Sequence, residues 1–169
     1  MKKDFQYYSF IQGGILGLIL LVITTMFYIC DSHSLLPAMN IYSICFVTSL
    51  FMYSCYALIK FSKQYCVMQY NFKIYFSISF LLLAIALLIS RIYIVILYNI
   101  IDINLITEYF TYTHQQHNID LIGYSDDDWL ELVQKNFSFL GQLQSYVFSL
   151  IPCTLYSAII SLLMKINHK

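Results

Sequence analysis

The sequence predicts an all-α membrane protein: four transmembrane helices, both termini on one side, and a helical hairpin on the other between spans three and four. Three observations carry this. The chain is 60% hydrophobic and only 11% charged, whereas a soluble domain of this length is normally about a quarter charged. Its apolar residues collect in four runs, about 10–30, 41–59, 74–101 and 146–164, and each reaches the roughly 20 residues that a helix needs to cross about 30 Å of hydrocarbon. Seven of eight lysines and eight of nine acids then sort to opposite ends of these runs.

Charge sets the expected orientation. Lys2 and Lys3 precede span one, Lys60, Lys63 and Lys73 fill the link between spans two and three, and Lys165 and Lys169 follow span four; Asp4 is the one acid among them. By the positive-inside bias of short loops, these segments and both termini are expected in the cytoplasm of a bacterial cell, with the protein in its inner membrane. The link after span one carries Asp31 and His33. The link after span three carries Asp102, Glu108, Asp120, Asp126, Asp127, Asp128 and Glu131 against Lys135; both links are expected outside.

Span one opens on a basic pair, as a secretory signal would. Its apolar part is too long for one, and no small-residue cleavage site follows near Cys30 to Ser34, so an uncleaved first span is expected. Gly13 and Gly17 form a G-x-x-x-G, which exposes backbone one turn apart and admits a neighbouring helix. The five cysteines, Cys30, Cys45, Cys55, Cys66 and Cys153, contain no C-x-x-C and read as small apolar residues.

Span three contains the only arginine, Arg91. It stands about 26 Å along a helix from Lys73, and its side chain leans toward the helix N-terminus, away from the outer headgroups. Asp31 and Asp102 are the candidate carboxylate partners, since an ionisable group inside a span is a functional suspect. The structural alternative is an arginine that snorkels to a lipid phosphate or bonds a carbonyl.

The outer segment, about 102–142, is too long for a mere connection. Asp102 can cap a helix from Ile103 whose Leu105, Ile106, Tyr109 and Phe110 share a face. Ser125 to Asp128 forms a capping box for a second helix, with the stripe Trp129, Leu130, Val133, Phe137 and Leu140. The two helices make a hairpin over the bundle. His114, His117 and Asp120, spaced by three, would align as metal ligands on a continuous helix, but the spacing is loose and no metal is expected. Asp126, Asp127 and Asp128 lack the alternation and turn glycine of a calcium loop and suit a helix N-terminus.

Span four carries Ser145, Ser149, Cys153, Ser157 and Ser161 at intervals of four, a ridge of small side chains expected to pack against another helix. The alternative is the lining of a solute path. Pro152 removes one backbone bond in mid-span and predicts a kink near Phe148 to Pro152.

The chain resembles a family of short four-span bacterial membrane proteins, common in the Bacteroidota and catalogued as domain of unknown function 4199. Gly13 and Gly17 match the glycines of that family's first span, and Asn71-Phe72 with Phe76 matches the aromatic pair opening its third. Ile101-Asp102 stands where the family has Ile-Asp-Pro, and Ser157 to Lys165 resembles its small-and-aliphatic close. Lys73 and Ile103 depart from it, standing where the family has Gly and Pro. The resemblance implies the topology and no activity.

No histidine lies in a span to ligate haem, no span carries the Asp or Glu of a proton relay, and phosphate-loop and nucleophile-elbow motifs are missing. No catalytic residue, cofactor or nucleic-acid partner is expected. The first expectation is therefore a structural or accessory subunit that binds the lipid bilayer and a membrane or envelope protein, or a second copy of itself. The alternative is a component of a small transporter or channel using Arg91, the Pro152 kink and a serine-lined path.

Overall fold

A computed structural model describes residues 2–30, 35, 40–65, 72–117 and 126–166. Its order is α1 (Lys2–Cys30), α2 (Asn40–Tyr65), α3 (Phe72–Ile96) continued by a π turn (Leu97–Ile101), α4 (Asn104–His117), α5 (Asp126–Phe137) and α6 (Phe139–Ile166). No strand occurs among the described residues. Four segments are long and apolar enough to cross a membrane, Phe5–Cys30, Ile41–Gln64, Phe72–Ile101 and Phe139–Met164.

The bundle is organised around α3, which packs most extensively against α1 and α6. Its buried residues Tyr75, Ile78, Ser79, Leu82, Leu83, Ala86, Leu87 and Ser90 recur at helical spacing on the faces it turns to them. Two glycines let α1 approach. A Cβ on Gly13 would stand 2.8 Å from the Leu82 carbonyl oxygen and 2.9 Å from Ile85 Cβ, and one on Gly17 would stand 2.7 Å from Ile89 Cδ1. Gly14, between them, faces open space.

The outward faces are apolar, as lipid requires: Leu18, Met26, Ile44, Met52, Phe148 and Leu155 are all exposed. Interior polar groups bond mostly within the protein. Tyr8 donates to the Ala57 carbonyl (2.8 Å) and Tyr53 to Gln12 Oε1 (2.8 Å), while Ser9 and Ser54 bond back to carbonyls four residues earlier.

The hairpin is docked on the end of the bundle. Leu97 and Tyr98 of the π turn, Leu105 and Ile106 of α4 and Val133 of α5 form a core of their own, with Trp129 and Phe137 packed against it. Three boundaries differ from those read in the sequence, the first being that α1 starts at Lys2 rather than near Phe10. Helix α2 continues past Ile59 to Tyr65. The last span begins at Phe139, because the chain bends at Ser138; Leu140 thus opens α6 on an exposed face instead of completing the α5 stripe. Ser125 and the capping box it would anchor lie outside the described residues.

Candidate functional site

The corner between α5 and α6 is built from side-chain caps. Ser138 Oγ donates to the Lys135 carbonyl (2.6 Å) and accepts the Gly141 amide (3.2 Å), and the Ser138 carbonyl accepts the Gln142 amide (2.9 Å). A Cβ on Gly141 would run into the Lys135 carbonyl oxygen and stand 2.7 Å from that of Asn136, so no larger residue fits where the chain doubles back. Asn99, in the π turn, holds the corner to α3: its Nδ2 donates to the carbonyls of Val95 (2.9 Å) and Phe137 (2.9 Å). The π turn itself closes on an Asp102 amide to Leu97 carbonyl bond of 2.9 Å, and such turns recur at functional positions.

This corner presents Gln142 to Arg91. Gln142 Nε2 donates to the Asn136 carbonyl (2.9 Å), which fixes the amide so that its Oε1 accepts from Arg91 Nη1 (3.3 Å). That bond is long and its acceptor is neutral. Among the described residues no carboxylate pairs with the guanidinium. Asp102 is occupied elsewhere: Tyr28 donates to its Oδ2 (3.1 Å), and its Oδ1 accepts the Asn104 amide (3.1 Å) to cap α4. The candidate Arg91–Asp102 partnership is thus replaced by a tyrosine and a helix cap. Asp31 and His33 lie outside the described residues.

Arg91 lines a pocket of about 170 Å³ with Thr24, Tyr42, Ile94, Tyr98, Tyr109 and Gln142. Its walls are tied together. Thr24 and Tyr42 share a hydrogen bond of 3.0 Å between α1 and α2, and Thr25 and Tyr93 one of 2.6 Å between α1 and α3. Tyr98 stacks on Phe137 at 4.1 Å, and Tyr109 meets the same ring edge-on at 4.9 Å. Burial pushes the Tyr109 phenol above its ordinary value, so it stays a neutral donor and acceptor. On its other side Arg91 borders a crevice of about 80 Å³ between α3 and α6, walled by Leu88, Ile92, Phe139 and Leu143, all of which also face outward.

The ridge on α6 does not join this pocket. Cys153, Ser157 and Ser161 are buried, and Cys153 lies in one core cluster with Leu16, Leu83, Ala86 and Leu87. Ser161 bonds to the Ser157 carbonyl and Ser149 to that of Tyr146. Ser145 and Ser149, nearer the corner, are half-buried. Helix α6 runs on through Pro152, which is exposed. A larger groove, about 540 Å³ between α1 and α2, is lined by Ile23, Met26, Phe27 and Cys45 among others. His114 and His117 fall on the last turns of α4, and Asp120 lies outside the described residues. Among the described residues no three His, Cys, Asp or Glu side chains converge as metal ligands would.

Reading the sequence alone missed Thr24, Tyr42, Tyr98, Tyr109 and Gln142. The tyrosines counted toward the apolar runs, and Gln142 fell within the expected outer segment. The available signal was a glutamine set one residue after a glycine, just beyond an amphipathic helix.

Four membrane-length helices, with α3 at their centre and a pocket around Arg91 at the end that carries the hairpin, define a small multi-pass membrane protein of the all-α class. The chain belongs to the family described as "Protein of unknown function (DUF4199)", whose model matches residues 12–165. No curated protein and no solved structure matches it.

Proposed function

We propose that this protein is an accessory, partner-binding subunit of a bacterial inner membrane, with both termini cytoplasmic and the hairpin outside, working by recognition rather than by catalysis. The observation that carries the reading is the mounting of the hairpin. A small aromatic core, the Asn99 bonds to Phe137 and Val95 and the Tyr28–Asp102 bond fix α4 and α5 to the bundle, while Asp127, Asp128 and Glu131 remain at the exposed surface. A preordered acidic platform binds a basic partner without a further cost of ordering loops. The lysines on the opposite end supply the orientation.

The transporter alternative draws on the Arg91 pocket, which is polar and recessed. Its other half, a serine-lined path, has less support: Ser157 and Ser161 are buried, and Cys153 lies in the apolar core.

Capture of the full-length protein in mild detergent tests the proposal. A stoichiometric envelope partner is expected, and it should be lost when Asp127→Lys, Asp128→Lys and Glu131→Lys are combined. Repeated recovery of the protein alone, or a partner indifferent to this charge reversal, contradicts it. Uptake of anions by proteoliposomes that depends on Arg91 would favour the alternative.

A further inference from the structure

We propose that the Arg91 pocket binds one phosphate group, presented at the hairpin end of the bundle by a phospholipid headgroup or by a free phosphate ester. The site is independent of the partner-binding reading.

Arg91 brings a positive charge into the pocket. A guanidinium remains protonated in any protein environment, and enclosing it without an anion is strongly unfavourable. Arg91 is half-buried, and the neutral Gln142 amide at 3.3 Å is its only bonded side chain among the described residues. Asp102, beyond the π turn, is held by Tyr28 and the start of α4. Among the described residues nothing balances the charge, and the pocket leaves that place open to a ligand.

The surroundings match an oxyanion. Besides the guanidinium fork, which fits phosphate oxygens in pairs, the pocket is lined by Tyr98, whose hydroxyl can donate to an oxyanion; Thr24 donates to the Leu20 carbonyl and accepts from Tyr42, so these two form the wall. Its volume of about 170 Å³ lies below the roughly 300 Å³ at which pockets for whole small molecules begin, so it suits a single group.

Depth supports a headgroup. Span three, Phe72–Ile101, has 30 residues and is about 45 Å long, so it overshoots the hydrocarbon, and its sequence alone leaves the level of Arg91 open. Its neighbours fix the level. Tyr42 stands in the first turn of α2, whose first residue is Asn40, and Gln142 in that of α6, whose first is Phe139. Both are about 3 to 5 Å inside their helix starts. Arg91 thus sits where two spans enter the membrane, beside the α3–α6 crevice whose apolar walls face outward and can receive an acyl chain.

The test uses the full-length chain, stripped of lipid in a non-ionic detergent. In one arm it is offered equal amounts of phosphatidylglycerol and a phosphate-free glycosyl diacylglycerol, and native mass spectrometry reads the retained lipid. In the other, thermal unfolding is followed with inorganic phosphate at constant ionic strength. A roughly tenfold preference for one phosphatidylglycerol per chain, reduced to parity by Arg91→Gln and weakened by Tyr98→Phe, supports the proposal with a lipid as the source. Stabilisation by inorganic phosphate without lipid preference, lost in Arg91→Gln, supports it with a free phosphate. If the native chain shows neither effect, or if both variants keep it unchanged, the proposal is overturned. Should Arg91→Gln fail to fold, the native chain and Tyr98→Phe decide the outcome.

Discussion

Replacing Gly13 with alanine adds one methyl group at the tightest point between α1 and α3. The new Cβ would lie 2.8 Å from the Leu82 carbonyl oxygen and 2.9 Å from Ile85 Cβ, both rigid parts of α3. Carbon contacts settle at about 3.5 to 4.0 Å, so the helices must separate by about 0.5 to 1 Å. Overpacking of this kind costs about 1 to 3 kcal/mol. Against it stands the helix preference for alanine over glycine, up to about 1 kcal/mol, which leaves a net loss of about 0 to 2 kcal/mol, or about 1 to 3 kcal/mol relative to a glycine replaced in open space. Gly14→Ala receives the same propensity gain with nothing within 4 Å to resist it and should be neutral or stabilising. Gly17→Ala meets Ile89 Cδ1 at 2.7 Å and Ile89 Cβ at 3.0 Å. Since the first of these can rotate away, its loss should fall between the other two and shrink when combined with Ile89→Ala. Equilibrium unfolding in mixed micelles, followed by circular dichroism, measures the series. If Gly13→Ala proves as stable as Gly14→Ala, the close approach of α1 to α3 is refuted.

Three further outcomes follow from the same contacts. Gly141→Ala drives a Cβ into the Lys135 and Asn136 carbonyls and should open the α5–α6 corner at a cost of at least about 3 kcal/mol; protease cleavage near Ser138, compared with the native chain, reads it. Asn99→Ala removes the two bonds to Val95 and Phe137 and should cost about 1 to 2 kcal/mol, with hydrogen exchange rising in α5 before α3. Tyr156 has a buried hydroxyl with no hydrogen-bond partner among the described residues, so Tyr156→Phe should raise stability by up to about 1 kcal/mol; a marked loss in the same unfolding assay would mean that the hydroxyl has a partner.

The fold was legible because membrane burial writes itself into composition. Four apolar runs gave the spans, and the face of Leu105, Ile106, Tyr109 and Phe110 gave the first hairpin helix. The start of the last span was not legible, since Gly141, Gln142 and Gln144 make Phe139–Gln144 look polar, yet the corner at Ser138 puts those residues into α6. The pocket was half legible. Arg91 stood out as a charge within an apolar run, but its neighbours did not, because tyrosine and threonine declare no role by spacing, and the pocket joins positions from Thr24 to Gln142. Asp102 caps the following helix as its sequence position suggested, through the Asn104 amide; charge also offered it as a partner of Arg91, whereas its second oxygen accepts from Tyr28.

Cysteine accessibility distinguishes a dry bundle interior, with its polar site confined to one end, from a hydrated one. In a background lacking the other cysteines, Cys153 alone, Ser157→Cys and Ser161→Cys are compared with Glu131→Cys on the exposed hairpin, using a membrane-impermeant maleimide applied to each face of sealed vesicles. The account predicts rapid labelling at position 131 from the hairpin face only, and none at the three ridge positions from either face. Labelling of Ser157→Cys at a rate comparable to Glu131→Cys would place water along the ridge and contradict it.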